Sequence, residues 1–196
     1  MMDIKEVAKK TRWHRKIHRI VGSCALVFFL LVAVTGLLLA WKKNSNGYLQ
    51  AKNHQGTTTD MSQWLSLDTL TRSAILALQD SVSPDISTEL DRIDVRPDKG
   101  MIKFTFTDHY WGVQVDAATA AVLHIERRRA DFIEQLHDGS LIDKLIGNDN
   151  GIVKLSYSTI TAISLLLLTI TGFWLWYNPK RIRKKKQLQQ GSQSDW

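Results

Sequence analysis

Six histidines, His14, His18, His54, His109, His124 and His137, are the only redox handles in the 196-residue sequence. A neutral imidazole is a common ligand for haem iron and other transition metals. His14 and His18 stand four residues apart, on one face of any helix that carries them. Covalent c-type haem attachment is excluded, because no Cys-x-x-Cys-His occurs. A His-Glu-x-x-His helix, a Gly-x-Ser-x-Gly elbow and a Walker phosphate loop are also missing, so hydrolase and nucleotidase chemistry have no residues to carry them. Each histidine also has a plainer role open to it. His14 and His18 adjoin Arg15 and Lys16 and can meet lipid phosphates. His137 can hydrogen-bond within a short amphipathic helix over 130–146, while His54, His109 and His124 read as surface or sheet residues.

The elements that must position these groups begin with two apolar blocks. Mean hydropathy is slightly negative and charged residues make up 23%, yet Ile20–Trp41 and Leu155–Tyr177 contain no charge. At about 1.5 Å per residue each block reaches the ~30 Å hydrocarbon core of a bilayer. A buried helix of a soluble protein is rarely apolar on all faces for that length. The first block is too long for a signal peptide and ends in Leu-Leu-Ala-Trp-Lys-Lys-Asn, which lacks a small-x-small cleavage site. Val21-Gly22-Ser23-Cys24 opens the apolar run rather than following it, so Cys24 reads as a small apolar residue inside the span.

Charge placement then sets the topology. The net charge of +7 invites a nucleic-acid partner, but half of the 26 Lys and Arg residues flank the two blocks. They are Lys5, Lys9, Lys10, Arg12, Arg15, Lys16 and Arg19 before the first, and Lys180, Arg181, Arg183, Lys184, Lys185 and Lys186 after the second. Basic residues beside a span are retained in the cytoplasm and attract anionic lipid heads. Both termini are therefore expected to be cytoplasmic, with residues 43–154 outside, the lipid bilayer as the partner and no nucleic acid. Trp41, Trp174, Trp176 and Tyr177 fit interfacial anchors. Neither span carries an ionisable residue, which argues against an ion pathway through one chain.

Between the spans, polar residues 42–63 read as a linker. Leu67, Leu70, Ala74, Ile75 and Leu78 then recur at helical spacing, with Ser66 and Thr69 offering capping chemistry and Ser83-Pro84-Asp85 ending the helix. Three strands follow. Ile93 and Val95 alternate with charged residues, Ile102, Phe104 and Phe106 share a face opposite Lys103, Thr105 and Thr107, and Trp111, Val113 and Val115 alternate likewise. Pro97-Asp98-Lys99-Gly100 makes the first turn, and Asp116-Ala117-Ala118-Thr119 makes a second that leads into Ala121, Leu123 and Ile125. The expected unit is a helix covering the apolar face of an antiparallel meander. Arg127-Arg128-Arg129 is a charge run that either is solvated or binds lipid heads, an anionic ligand or a partner.

Val113–Leu123 resembles the closing hairpin of a PepSY domain, in which a strand ends in an Asp-Ala-x-Thr-Gly turn. Here Ala120 stands where the family usually has Gly, which points to another turn type. The helix–strand–strand order over residues 64–126 is also similar. His18-Arg19 with Gly22, Leu136-His137-Asp138-Gly139, Thr35-Gly36, and Thr171-Gly172 with Trp174 and Trp176 resemble elements of PepSY-associated membrane proteins.

The resemblance implies a membrane α+β fold: two transmembrane helices flanking a small extracytoplasmic helix-plus-antiparallel-sheet domain. Its segments are a basic N-terminus (1–19), helix 20–41, linker 42–63, PepSY-like domain 64–129, an amphipathic membrane-proximal segment (130–154), helix 155–177 and a basic tail (178–196). The location implied is the bacterial inner membrane. For some relatives the resemblance implies haem b, and it points to His18 and His137 as ligands. With the expected topology these lie about one bilayer thickness, ~30 Å, apart and cannot serve one haem. A homodimer would bring two His18 side chains together in a four-helix bundle, with His14 as a rival or a neighbour in hydrogen bonding. Relatives implicated in iron or siderophore reduction have four or more spans, so the implied partner is a second copy or another membrane subunit. Two functions follow from the resemblance: a haem-linked component assisting siderophore reduction, or a non-enzymatic anchored module that binds a protein or regulates a peptidase.

Overall fold

A computed structural model describes residues 4–148 and 150–191. Residues 1–3 and 192–196 of the two expected tails, and residue 149 of the membrane-proximal segment, lie outside the described residues. The chain divides into two units, Met1–Val34 with His137–Trp196, and Thr35–Leu136.

The first unit is helical. Helix α1, Ile4–Ala40, runs without a break from the basic N-terminal stretch through the first apolar block. Its opening turns are held by a Glu6–Lys10 ion pair at 3.3 Å and by the Thr11 hydroxyl, which donates to the Val7 carbonyl. The second apolar block lies within a helix over Ile152–Gly191, numbered α5 below. This helix continues through Pro179, which has no N–H to offer the Leu175 carbonyl, so the basic tail extends the span. Large apolar side chains on both helices are bare, with Leu26 65%, Val27 72% and Leu155 69% exposed. A soluble protein would bury such surfaces. Here they are the lipid-facing sides of two membrane spans.

Two short helices precede α5. Helix α3, Arg129–Asp138, ends at Gly139, and α4 covers Ser140–Leu145. Asp143 of α4 is buried and accepts from the Val153 and Lys154 amides at 3.0 and 2.7 Å and from Asn148 Nδ2 at 2.9 Å. A carboxylate there satisfies donors that the first turn of α5 cannot pair internally.

The second unit is a helix on a four-stranded antiparallel meander. Helix α2, Leu67–Ser81, is capped by the Ser66 hydroxyl accepting from the Thr69 amide, as the sequence led one to expect. Strands β1 (Leu90–Arg96), β2 (Met101–Phe106), β3 (Trp111–Asp116) and β4 (Val122–Arg127) lie side by side in chain order. Leu70, Ala74 and Leu78 of α2 pack on Ile102, Phe104, Phe106, Val113 and Val115 to form the core. Leu67, although on the expected stripe, is half exposed.

Three features depart from simple alternation. Gln114 pairs with His124 but Val115 pairs with Val122, so Leu123 is an extra residue that interrupts the Ala121–Leu123–Ile125 pattern. Thr105 and Gln114, on the polar face of the sheet, are nonetheless fully buried. Thr105 Oγ1 donates to the Arg92 carbonyl at 3.0 Å, and Gln114 is covered by residues 52–58 of the expected linker, which cross that face as an extended strap. Gln114 Oε1 accepts from the His54 amide at 3.0 Å, and its Nε2 donates to the Lys52 carbonyl at 3.1 Å, so one side-chain amide stands in for a neighbouring strand. Beside it Asp116 accepts from the Thr57 amide at 2.7 Å and from the Thr57 hydroxyl. The strap crosses the β1–β2 turn at Gly56 and Gly100. A Cβ on Gly56 would stand 2.1 Å from the Gly100 carbonyl oxygen, and Gly100 itself has φ +62°. Finally, Ala120 does not change the turn type as its side chain led one to expect: it takes the left-handed conformation, φ +58°, that a Gly would adopt there.

Candidate functional site

α1 and α5 run antiparallel, in contact through His14 with Trp174, His18 with Thr171, and Phe28 with Tyr157. This arrangement puts both basic ends at one end of the pair, with the aromatic belt of α5 beside them. Lys180 lies 3.7 Å over the Trp176 ring there.

His18 is the centre of this region. Its Nδ1 lies 2.9 Å from Thr171 Oγ1. That hydroxyl also lies 2.6 Å from the Leu167 carbonyl, which can only accept. The single hydroxyl proton therefore goes to Leu167, and Thr171 accepts from the His18 Nδ1–H. This chain of bonds engages Nδ1 as a donor, and Nε2 has no partner among the described residues. Metal-ligating histidines are held in this way, with one ring nitrogen donating while the other binds. Gly172 lies beneath the ring, where a Cβ would stand 3.6 Å from His18 Cε1.

His14 lies one turn earlier on the same face. Its ring stacks on Trp174 at 6.1 Å between centroids and 12° between planes. His14 Nδ1 is buried and has no hydrogen-bond partner among the described residues. Further along the pair, Cys24, Ala25, Phe28, Tyr157 and Ser164 help line a largely apolar cavity of about 330 Å³.

His137 belongs to a different place. It is the penultimate residue of α3, half-buried, and is followed by Asp138 and Gly139. Gly139 has φ +82° and sits on Tyr157, where a Cβ would meet the ring at 3.0 Å. Burial raises the Asp138 carboxyl, but bonds from Lys154 and Ser140 outweigh it and hold the group below the usual carboxylate value. Tyr157 and Thr171 lie roughly 21 Å apart along α5 at about 1.5 Å per residue. His18 and the His137 turn are separate features of the unit.

A profile of the PepSY-associated TM region matches residues 15–196. The chain belongs to this family. No curated protein and no solved structure matches it. For this PepSY-associated chain the short motifs acquire physical roles. Thr171-Gly172 of the second span receives the His18 ring, and Gly139 ends α3 in a conformation that a side chain would strain against Tyr157.

Other histidines have structural roles. His109 Nε2 donates to the Ser87 carbonyl at 2.9 Å and its Nδ1 accepts from the Trp111 amide. His54 of the strap and His124 of β4 meet with ring centroids 4.9 Å apart, a contact that their sequence separation concealed. Thr171 was also not legible as the partner of His18, because the two stand 153 positions apart in the sequence.

Proposed function

We propose that this membrane protein is a haem-b-linked component that assists reduction of ferric siderophores. The observation that carries the reading is the bond from His18 Nδ1 to Thr171, which orients the ring and leaves Nε2 without a partner among the described residues. The residues suit the group: His18 would hold it through its imidazole, Thr171 would fix the ring's orientation, and the buried His14 Nδ1, with no hydrogen-bond partner among the described residues, marks a polar position one turn away. Bound haem would supply one-electron chemistry, which none of the chain's own side chains offers.

His14 shares the α1 face with His18, so a further histidine for the group would have to come from outside this helix. A second copy would bring its own His18 across a twofold axis, making four spans from two chains. The remaining placement follows charge: the basic ends cytoplasmic, residues 43–154 outside the bacterial inner membrane, and His137 near the outer surface. The electron donor would be another protein, and the siderophore would meet the external side.

Reduced-minus-oxidised spectra of the full chain purified in detergent test the proposal. A b-type signal that is lost in His18→Ala and kept in His137→Ala is expected. A blank spectrum from haem-replete cells, or a signal indifferent to His18→Ala, overturns it. The anchored, non-enzymatic module would then be the reading to pursue, by pull-down on the full chain.

A further inference from the structure

The three consecutive arginines from the end of β4 to the start of α3 have three different surroundings. Arg128 is buried, donates to the Phe106 and His109 carbonyls at 2.9 and 3.1 Å, and pairs with Asp131 at 2.7 Å and Asp91 at 3.8 Å. It clamps the β2–β3 turn and its charge is matched. Arg129 donates to the Tyr48 carbonyl at 3.0 Å and lies 4.5 Å over the Tyr48 ring, with no carboxylate beside it among the described residues. Arg127 is exposed and has no ion pair among the described residues.

Arg127 and Arg129 line a cavity of about 500 Å³ with Leu38, Tyr48, Tyr110 and Phe132. Nearby acids are already engaged: Asp131 by Arg128, and Glu134 by Lys42 at 3.9 Å. Burial raises the Tyr110 phenol, with Arg128 opposing and Asp131 adding to the shift. The phenol stays a neutral donor, to Gln135 Oε1 at 2.5 Å. The cavity therefore carries two unmatched positive charges against an apolar and aromatic wall. Leu38 stands in the last turn of α1, where the first span ends, and Leu38 and Phe132 are 40% and 41% exposed.

We propose that this cavity binds the headgroup of an anionic phospholipid, with Arg127 and Arg129 on the phosphate and the acyl chains descending past Leu38 and Phe132. The depth decides the occupant. A cavity at the end of a membrane span lies at the phosphate layer, where tyrosines and arginines are favoured. A small free anion would answer the charge but leave Leu38 and Phe132 uncovered, whereas a phospholipid answers both. This site is independent of the haem reading.

The test uses the full chain in phosphatidylcholine nanodiscs doped with phosphatidylglycerol carrying a photoreactive headgroup, with crosslinks mapped by mass spectrometry. Crosslinks to residues 38–48 and 127–133 are expected, reduced at least fivefold in Arg127→Gln/Arg129→Gln. The same surface should be labelled several-fold less by the phosphatidylcholine analogue. Arg127→Gln alone, which leaves the Tyr48 contact intact, should reduce labelling at least twofold. Labelling of the basic tail around residues 180–184 should be unchanged, which controls for insertion and folding. Equal labelling by both lipids, or undiminished labelling in the variants, overturns the proposal. Suppression by millimolar inorganic phosphate would identify a free-anion site and overturn it as well.

Discussion

Ala120 holds a left-handed backbone conformation, φ +58°, that costs a residue with a Cβ about 1–2 kcal/mol. The turn persists because Asp116 Oδ1 accepts from the Ala118 and Thr119 amides and Ser73 donates to the Ala120 carbonyl. Ala120→Gly should raise stability by up to ~1 kcal/mol, since relief of strain exceeds the added freedom of the unfolded chain. Thermal unfolding in detergent, followed by circular dichroism, should show the increase; an unchanged or lower midpoint contradicts it. Thr171 offers a sharper residue-scale test. Thr171→Val removes the acceptor for His18 Nδ1–H and should weaken haem retention on the order of 10–100-fold, while Thr171→Ser should restore it. Titration of the apoprotein with haem would read both variants. Sequence alone marked His18 and the Thr-Gly pair separately, but their meeting depends on helix pairing, which no local pattern encodes.

At the scale of elements, α2 and the strand order were legible because periodicity of 3.6 and 2 reports directly on which face is buried. Residues 42–63 were not legible as a strap. Their polar composition matches that of a free linker, and the strap binds through backbone groups that any sequence possesses. Only Gly56, the Thr57 hydroxyl and the side chains of Gln114 and Asp116 are specific to it, and none declares its partner. The strap should respond to acid through Asp116. Burial raises this carboxyl, but the Thr57 hydroxyl and the Ala118, Thr57 and Thr119 amides outweigh it, so the folded value lies below the usual one for an aspartate. Its contribution is fully present above the unfolded value and is lost as pH falls through the lowered folded one. Unfolding midpoints measured from pH 6 downward should fall below about pH 4, and Asp116→Asn should flatten that part of the profile. Equal acid sensitivity in the variant would place the effect elsewhere.

For the whole molecule, the two spans were legible from their length and uncharged faces, and the structure leaves those faces bare. The basic ends lie together, which makes sidedness a single question with one answer for both. In a Cys24→Ser background, Lys99→Cys should react with a membrane-impermeant maleimide on intact spheroplasts, and Lys184→Cys only after lysis. The reverse pattern would invert the topology. The strap adds a constraint on how the chain is made. Lys52 and His54 leave the ribosome about 60 residues before Gln114, the group that binds them. At roughly 5–20 residues per second, they wait some 3–12 s as unpaired backbone while the sheet is still being synthesised. During biogenesis this stretch is thus open to a protease or a chaperone before the rest of its unit has been made, and it closes only when the third strand arrives.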